Sequence, residues 1–169
     1  MTGEKQVKEL MINIFDYPHV PYWFSIGQAI QLVKMSFAGH SDRPDPVAIL
    51  VFDEKYNLVG TLGRHDLLRG LGPEFWAPVR GASDQQADSS DDSLYGDFIS
   101  EAKKKVERPV SEVMVPVRYF VDPDDLVTRA AFLMVRHDRF LLPVLEGKKK
   151  FVGLIRMAEV FDNLSGVAD

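Results

Sequence analysis

Apolar and polar positions follow a pattern that this chain carries twice. From Leu141 to Phe161 (LLPVLEGKKKFVGLIRMAEVF), two apolar runs flank a Gly-Lys turn and a helix-like segment follows. From Ala48 to Leu68 (AILVFDEKYNLVGTLGRHDLL) the same arrangement stands. The two align without a gap, placing Gly60 on Gly153, Val51 on Val144 and Asp66 on Glu159. Such self-similarity predicts a body built from two copies of one supersecondary unit, with function between the copies.

The second copy is the clearer. Val117–Val121, apolar and short, suits a strand. Asp122-Pro123-Asp124-Asp125 has the composition of a helix start: an aspartate that can cap, proline for the first turn, and acids for the positive end of the dipole. Leu126, Ala130, Leu133 and Met134 then fall on one face of a helix ending near Arg136. Leu141–Leu145 and Phe151–Ile155 read as a hairpin about Glu146-Gly147-Lys148, and Met157–Leu164 as a final helix. The order is strand, helix, strand, strand, helix.

The first copy follows the same scheme. Val7–Met11 matches Val110–Met114 in spacing and character. Ser25 can cap a helix whose apolar face is Ile26, Ala29, Ile30 and Val33. Ala48–Phe52 and Leu58–Leu62 form the hairpin, and Arg64–Leu71 the last helix. An insertion relative to the second copy, about 37–46 and rich in turn residues, reads as a loop. The units are therefore expected at 1–71 and 109–169, joined by a linker at 72–108. That linker holds an acidic, serine-rich stretch at Ala82–Ser93 and a possible helix over Leu94–Val106. The expected fold class is mixed α/β: two small units whose sheets bury against each other with approximate two-fold symmetry.

Composition narrows the function. The 169 residues are 46% hydrophobic and 27% charged, the balance of a globular protein. A formal net charge of −5 gives a nucleic-acid partner no electrostatic help. The absence of cysteine removes disulfides and thiolate chemistry. The N-terminal MTGEKQVKELMINIF lacks the apolar core of a secretory signal, and no apolar run approaches the roughly 20 residues of a membrane helix. A cytoplasmic protein without a membrane or nucleic-acid partner is expected. The histidines His19, His40, His65 and His137 show no metal-ligand spacing, and no nucleophile elbow or phosphate loop is present. The expectation is a protein that is not an enzyme.

The two units resemble CBS domains, and the chain resembles a stand-alone tandem pair, or Bateman module. The resemblance rests on Val110-x-x-Val-Met114, the Leu142-Pro143-Val144 strand and Phe151-Val-Gly153-Leu-Ile155, on their counterparts in the first copy, and on their order. It spans nearly everything except the linker. The first copy departs in having Leu50 where proline is usual. The resemblance implies two clefts related by the pseudo-two-fold, each a site for a regulatory adenosine derivative: AMP, ADP, ATP or S-adenosylmethionine. It also implies a homodimer formed through helical faces and a regulated protein partner. In the family's signature, a Thr or Ser meets phosphate or ribose, and an Asp three residues on accepts from the ribose hydroxyls.

Transferred to this chain, the signature reads Gly63, Arg64, His65 and Asp66 in the first copy. Asp66 is present but glycine stands at the hydroxyl position. By the family's pattern this cleft also takes Val117, Tyr119, Phe140 and Leu141. The second signature has Arg156 for the hydroxyl residue and Glu159 for the aspartate, and its cleft would add Ile14, Asp16, Val47 and Ala48. The cleft with Asp66 ranks first, because the charge of Asp16 would repel phosphate. Plainer readings stand beside these. Asp66 suits a helix start with no ligand, Arg156 could bind phosphate or fill its cleft, and Tyr119 and Phe140 suit a core. His137–Arg139 reads as a solvated loop, and Phe75–Pro78 as a segment that docks or meets a partner. A scaffold whose clefts have lost their ligand is the competing function.

Overall fold

Two hairpins and their covering helices recur at the expected places in the computed structural model, which describes residues 3–13, 17–37, 48–73 and 98–169. The first unit runs β1 (His19–Pro21), α1 (Ile26–Phe37), β2 (Ile49–Phe52), β3 (Leu58–Leu62) and α2 (Arg64–Leu71). A connector helix, α3 (Phe98–Lys105), precedes β4 (Val115–Pro116), α4 (Val127–His137), β5 (Leu141–Glu146), β6 (Lys150–Arg156) and α5 (Met157–Leu164). One sheet has the order β1-β2-β3-β4 and the other pairs β5 with β6. The fold is mixed α/β with the repeat the sequence predicts. Phe75–Pro78, Ala82–Ser93 and the loop at Gly39–Pro46 lie outside the described residues, as do Ile14, Asp16 and Val47.

The halves are interlocked by exchanged segments. Two short 3-10 turns, Val7–Glu9 and Val110–Glu112, each dock on the other half. The Val7 N–H donates to the Asp125 carbonyl at 2.8 Å, and the Val110 N–H to the Phe24 carbonyl at 2.7 Å. The Lys8 N–H reaches Pro123 at 2.9 Å, and Ser111 reaches Tyr22 at 3.3 Å. Val127 donates to Lys5 at 2.9 Å, and Ile26 to Arg108 at 2.8 Å. Each bond has its counterpart under the pseudo-two-fold. Past these turns, β4 pairs with β3 while Ile12 pairs with Leu154.

The cores follow the exchange. Val7 is buried with Val127, Ala130, Met134, Leu142, Val144 and Ile155 of the second unit. Val110 is buried with Ile26, Ala29, Val51, Leu62 and Leu67 of the first. A third cluster, Tyr17, Leu50, Phe52 and Leu154, joins the two sheets. Burying a valine or leucine fully stabilises by about 1.5–3 kcal/mol, so each half leans on apolar area supplied by the other.

Two elements differ from the sequence pattern. Val117–Val121 is not a strand; the pairing lies at Val115–Pro116, and Val121 makes an isolated bridge to Val144. The helix predicted after Asp122 begins later, at Val127. Asp122–Asp125 instead forms its own turn, in which the Asp122 N–H donates to the Asp125 carboxylate and the Asp124 N–H to that of Asp122, both at 2.9 Å. Leu126 is then the residue before α4 and is exposed, while Val127, Ala130 and Met134 form the buried stripe. By contrast Ser25 caps α1 as its type suggests: its Oγ accepts from the Gln28 N–H at 3.1 Å, and the Gln28 side chain returns a bond to the Ser25 N–H at 2.9 Å.

Candidate functional site

The pairing of β3 with β4 brings Thr61 of the first unit opposite Val115 of the second. Beyond that pair the chain leaves the sheet as Val117–Phe120 and runs beside the start of β5. A small depression of about 30 Å³ results, lined by Thr61, Val115–Tyr119, Arg139 and Leu141–Pro143. That is about the volume of one water molecule in the liquid. Three side chains expected there, Val117, Tyr119 and Leu141, do line it.

Tyr119 organises this corner. His137, from the last turn of α4, stacks on its ring with centroids 3.6 Å apart and planes 10° from parallel. Asp138 then takes a left-handed backbone conformation (φ 53°), turning the chain so that the Arg139 guanidinium stands 5.6 Å from the Tyr119 centroid. His137–Arg139 is thus a packed corner, where the sequence reading gave a solvated loop. The charge lining the depression is positive, from Arg118 and Arg139, with no carboxylate among its lining residues.

The signature residues of the first unit lie differently. Asp66 stands in the first turn of α2, where its carboxylate accepts the Gly63 N–H at 2.9 Å and pairs with Arg69 at 3.1 Å. Gly63 precedes the helix with extended backbone; Arg64 and His65 open it and are exposed. None of these four, nor Phe140, which is 53% exposed, lines the depression. Asp66 acts here as the helix-start acid, one of the two readings its position allows.

On the opposite side, Arg156 and Glu159 take each other as partners. Arg156 Nε lies 3.0 Å from both Glu159 carboxylate oxygens, and a terminal guanidinium nitrogen bonds the same carboxylate. Both side chains are mostly buried. The Glu159 hydrogen bond holds the Arg156 guanidinium above its already high ordinary value; burial works against this, and the charges of Glu159 and Tyr17 add to it. Ala48 is half-buried, and Ile14, Asp16 and Val47 lie outside the described residues.

Sequence reasoning missed Thr61, Arg118 and Arg139. Thr61 stands two residues before Gly63, close to the hydroxyl position that the signature leaves vacant. Arg118 was hidden by strand alternation, which would turn it away from Val117 and Tyr119. The alternation lapses because 117–120 is not a strand. Among the described residues no group of three His, Asp or Glu side chains could hold a metal, and no helix is long and apolar enough to cross a membrane.

Comparison with known proteins extends this geometry. Residues 110–166 match the family model described as CBS domain. A search of curated protein sequences gives no match. Among solved structures, a CBS domain-containing protein from Bacillus anthracis is 18% identical, with 96% of this chain and 94% of that chain covered and a TM-score of 0.68. CBSX2 in complex with AMP is 18% identical, with 97% and 98% covered and a TM-score of 0.63. The cytosolic domain of the Mg2+ channel MgtE in complex with ATP is 20% identical, with 94% of this chain but 49% of that chain covered and a TM-score of 0.61.

Proposed function

We propose that this chain, whose residues 110–166 match the CBS domain model and whose fold is that of solved CBS pairs, is a non-catalytic, cytoplasmic regulatory module with an adenosine phosphate as its ligand. The observation that carries the reading is the depression between the units, where a hydroxyl, an aromatic ring and two arginines converge. Structures of this fold hold AMP in one case and ATP in another. Arg118 and Arg139 suit a phosphate group, Tyr119 and Leu141 an adenine face, and Thr61 a phosphate or ribose oxygen. Asp66 keeps lone pairs beyond those used by Gly63 and Arg69, so it can still accept ribose hydroxyls.

At about 30 Å³ the depression is too small for a nucleotide. Ligand pockets usually span about 300–1,000 Å³, so binding requires the Tyr119–Arg139 corner to move outward. That movement is the regulatory event. A ligand that bridges the units selects the opened arrangement by its differential affinity for it. A protein partner reads the change.

The same reading includes a homodimer. Between α4 and α5 lies an apolar groove of about 340 Å³, lined by Ala131, Met134, Val135, Met157, Phe161 and neighbouring residues. Phe132, Val135 and Phe161 are 62%, 81% and 67% exposed beside it. A second copy would cover this face.

One observation favours the scaffold alternative. Arg156 and Glu159 satisfy each other where the second cleft would need them free. Thermal-shift scans with AMP, ADP, ATP and S-adenosylmethionine separate the readings. A ligand at a hundredfold its Kd stabilises by about 2.7 kcal/mol, a shift of several degrees. A shift with an adenosine phosphate, lost in Arg139→Gln, supports the sensor. No shift with any of the four supports the scaffold.

A further inference from the structure

A second concavity, of about 240 Å³, lies where the end of α2, the end of α3 and the turn at Val110–Glu112 meet. Its lining includes Arg69, Gly72, Pro73, Lys105, Arg108 and Glu112, and it shares no residue with the depression at Tyr119. Three cations thus face one carboxylate, in a chain whose formal net charge is −5.

The cations differ in how far they are committed. Arg69 pairs with Asp66 at 3.1 Å and donates to the Val113 carbonyl at 2.9 Å, so it is held in place. Lys105 is only 8% exposed, and its Nζ donates to the Gly72 carbonyl at 2.6 Å. Among the described residues that bond uses one of three donors; Glu101, at 4.0 Å, stands beyond hydrogen-bond reach. Arg108 is similar. Its Nε is 3.9 Å from Glu112, and its guanidinium makes no hydrogen bond among the described residues. Burying an ammonium group is costly unless it is well paired, and a single carbonyl is a poor partner for a full charge.

We propose that this pocket is an oxyanion site, in which a phosphate-type group bonds Lys105 Nζ and the Arg108 guanidinium while Arg69 adds positive field from the wall. Charge-assisted bonds of about 2.7–2.9 Å to such an anion are stronger than the long ion pairs now present. The pocket volume equals that of about eight waters in the liquid, enough for a tetrahedral oxyanion and part of its hydration. The site stands apart from the nucleotide reading, and neither depends on the other.

The test is isothermal titration of the full chain with inorganic phosphate, at ionic strength held constant with sodium chloride. The wild-type protein should bind saturably. Arg108→Gln and Lys105→Met should each weaken that binding about tenfold or more. Lys148→Gln, on the exposed turn between β5 and β6 and outside both concavities, should leave it unchanged. Arg108 is half-exposed and its side chain makes no hydrogen bond among the described residues, so Arg108→Gln remains informative even where Lys105→Met fails to fold. Three results would overturn the proposal: no saturable binding by the wild type, unchanged affinity in Arg108→Gln, or loss of binding in Lys148→Gln.

Discussion

Arg156 and Glu159 hold each other across the start of α5, with Arg156 Nε 3.0 Å from both carboxylate oxygens. Their side chains are 14% and 21% exposed, so the pair sits largely out of water. Glu159→Ala leaves a largely buried guanidinium without its acid and should destabilise by about 1–3 kcal/mol. Replacing both residues with apolar ones, Arg156→Met with Glu159→Leu, should cost much less, because both desolvation costs vanish together. Urea denaturation of the single and double variants measures this. Equal losses in both would show that the pair is not the source.

The exchanged segments predict a symmetric effect of two remote valines. Val7 and Val110 are fully buried, each in the core of the other half. Val7→Ala and Val110→Ala should each cost about 1–3 kcal/mol in denaturant midpoints. If the halves leaned only on their own residues, Val7→Ala would behave as a harmless change near the N-terminus.

Two aligned glycines should respond unequally to alanine. A Cβ at Gly153 would stand 2.8 Å from the Ile12 carbonyl oxygen, which is itself bonded to the Leu154 N–H. A Cβ at Gly60 would first meet the Met114 sulfur at 2.6 Å, and a thioether can swing aside. Gly153→Ala should therefore destabilise by about 1–3 kcal/mol, and Gly60→Ala by less. Thermal unfolding of both variants checks the order.

The turn between β2 and β3 carries a pH signal. Asp53 accepts the Asn57 N–H at 2.8 Å, the Lys55 N–H at 2.9 Å and the Asn57 side-chain amide at 3.1 Å. The Asn57 backbone bond leads in holding this carboxyl below its ordinary 3.8; desolvation opposes it, and the Asn57 side chain and Lys55 assist. With the folded value below the unfolded one, the turn is fully supported above 3.8 and loses that support as pH falls through the folded value. An NMR titration of the Asp53 carboxyl should give a midpoint below 3.8. A midpoint at or above it would contradict the hydrogen bonds.

The homodimer reading makes a surface prediction. Val135→Glu and Phe161→Glu change residues 81% and 67% exposed in the single chain, so neither should unfold it. Both should convert a dimer to a monomer in sedimentation equilibrium. A wild-type chain that sediments as a monomer contradicts this interface outright.

Much of the fold was legible because each hairpin and its following helix are local. Arg64–Leu71 and Met157–Leu164 fall where their periodicity places them, and Gly60 with Gly153 marks the strand in which each lies. What escaped was non-local. Nothing in the pattern of Val117–Val121 reveals that the partner strand Leu58–Leu62 claims Val115–Pro116 instead. The acid run Asp122–Asp125 satisfied its own backbone and so delayed α4 by several residues. Of the residues lining the depression, Val117, Tyr119 and Leu141 came from the resemblance to CBS pairs. Arg118 and Arg139 depend on an irregular segment and on the left-handed Asp138, neither of which has a periodic signature.

The most direct test of the central reading is an amide NMR titration of the wild-type chain with AMP. The account predicts saturable shifts concentrated at Thr61, Val117–Tyr119 and Arg139–Leu141, absent in Arg139→Gln. Shifts confined to Arg156 and Glu159, or no saturable shift at all, would contradict it.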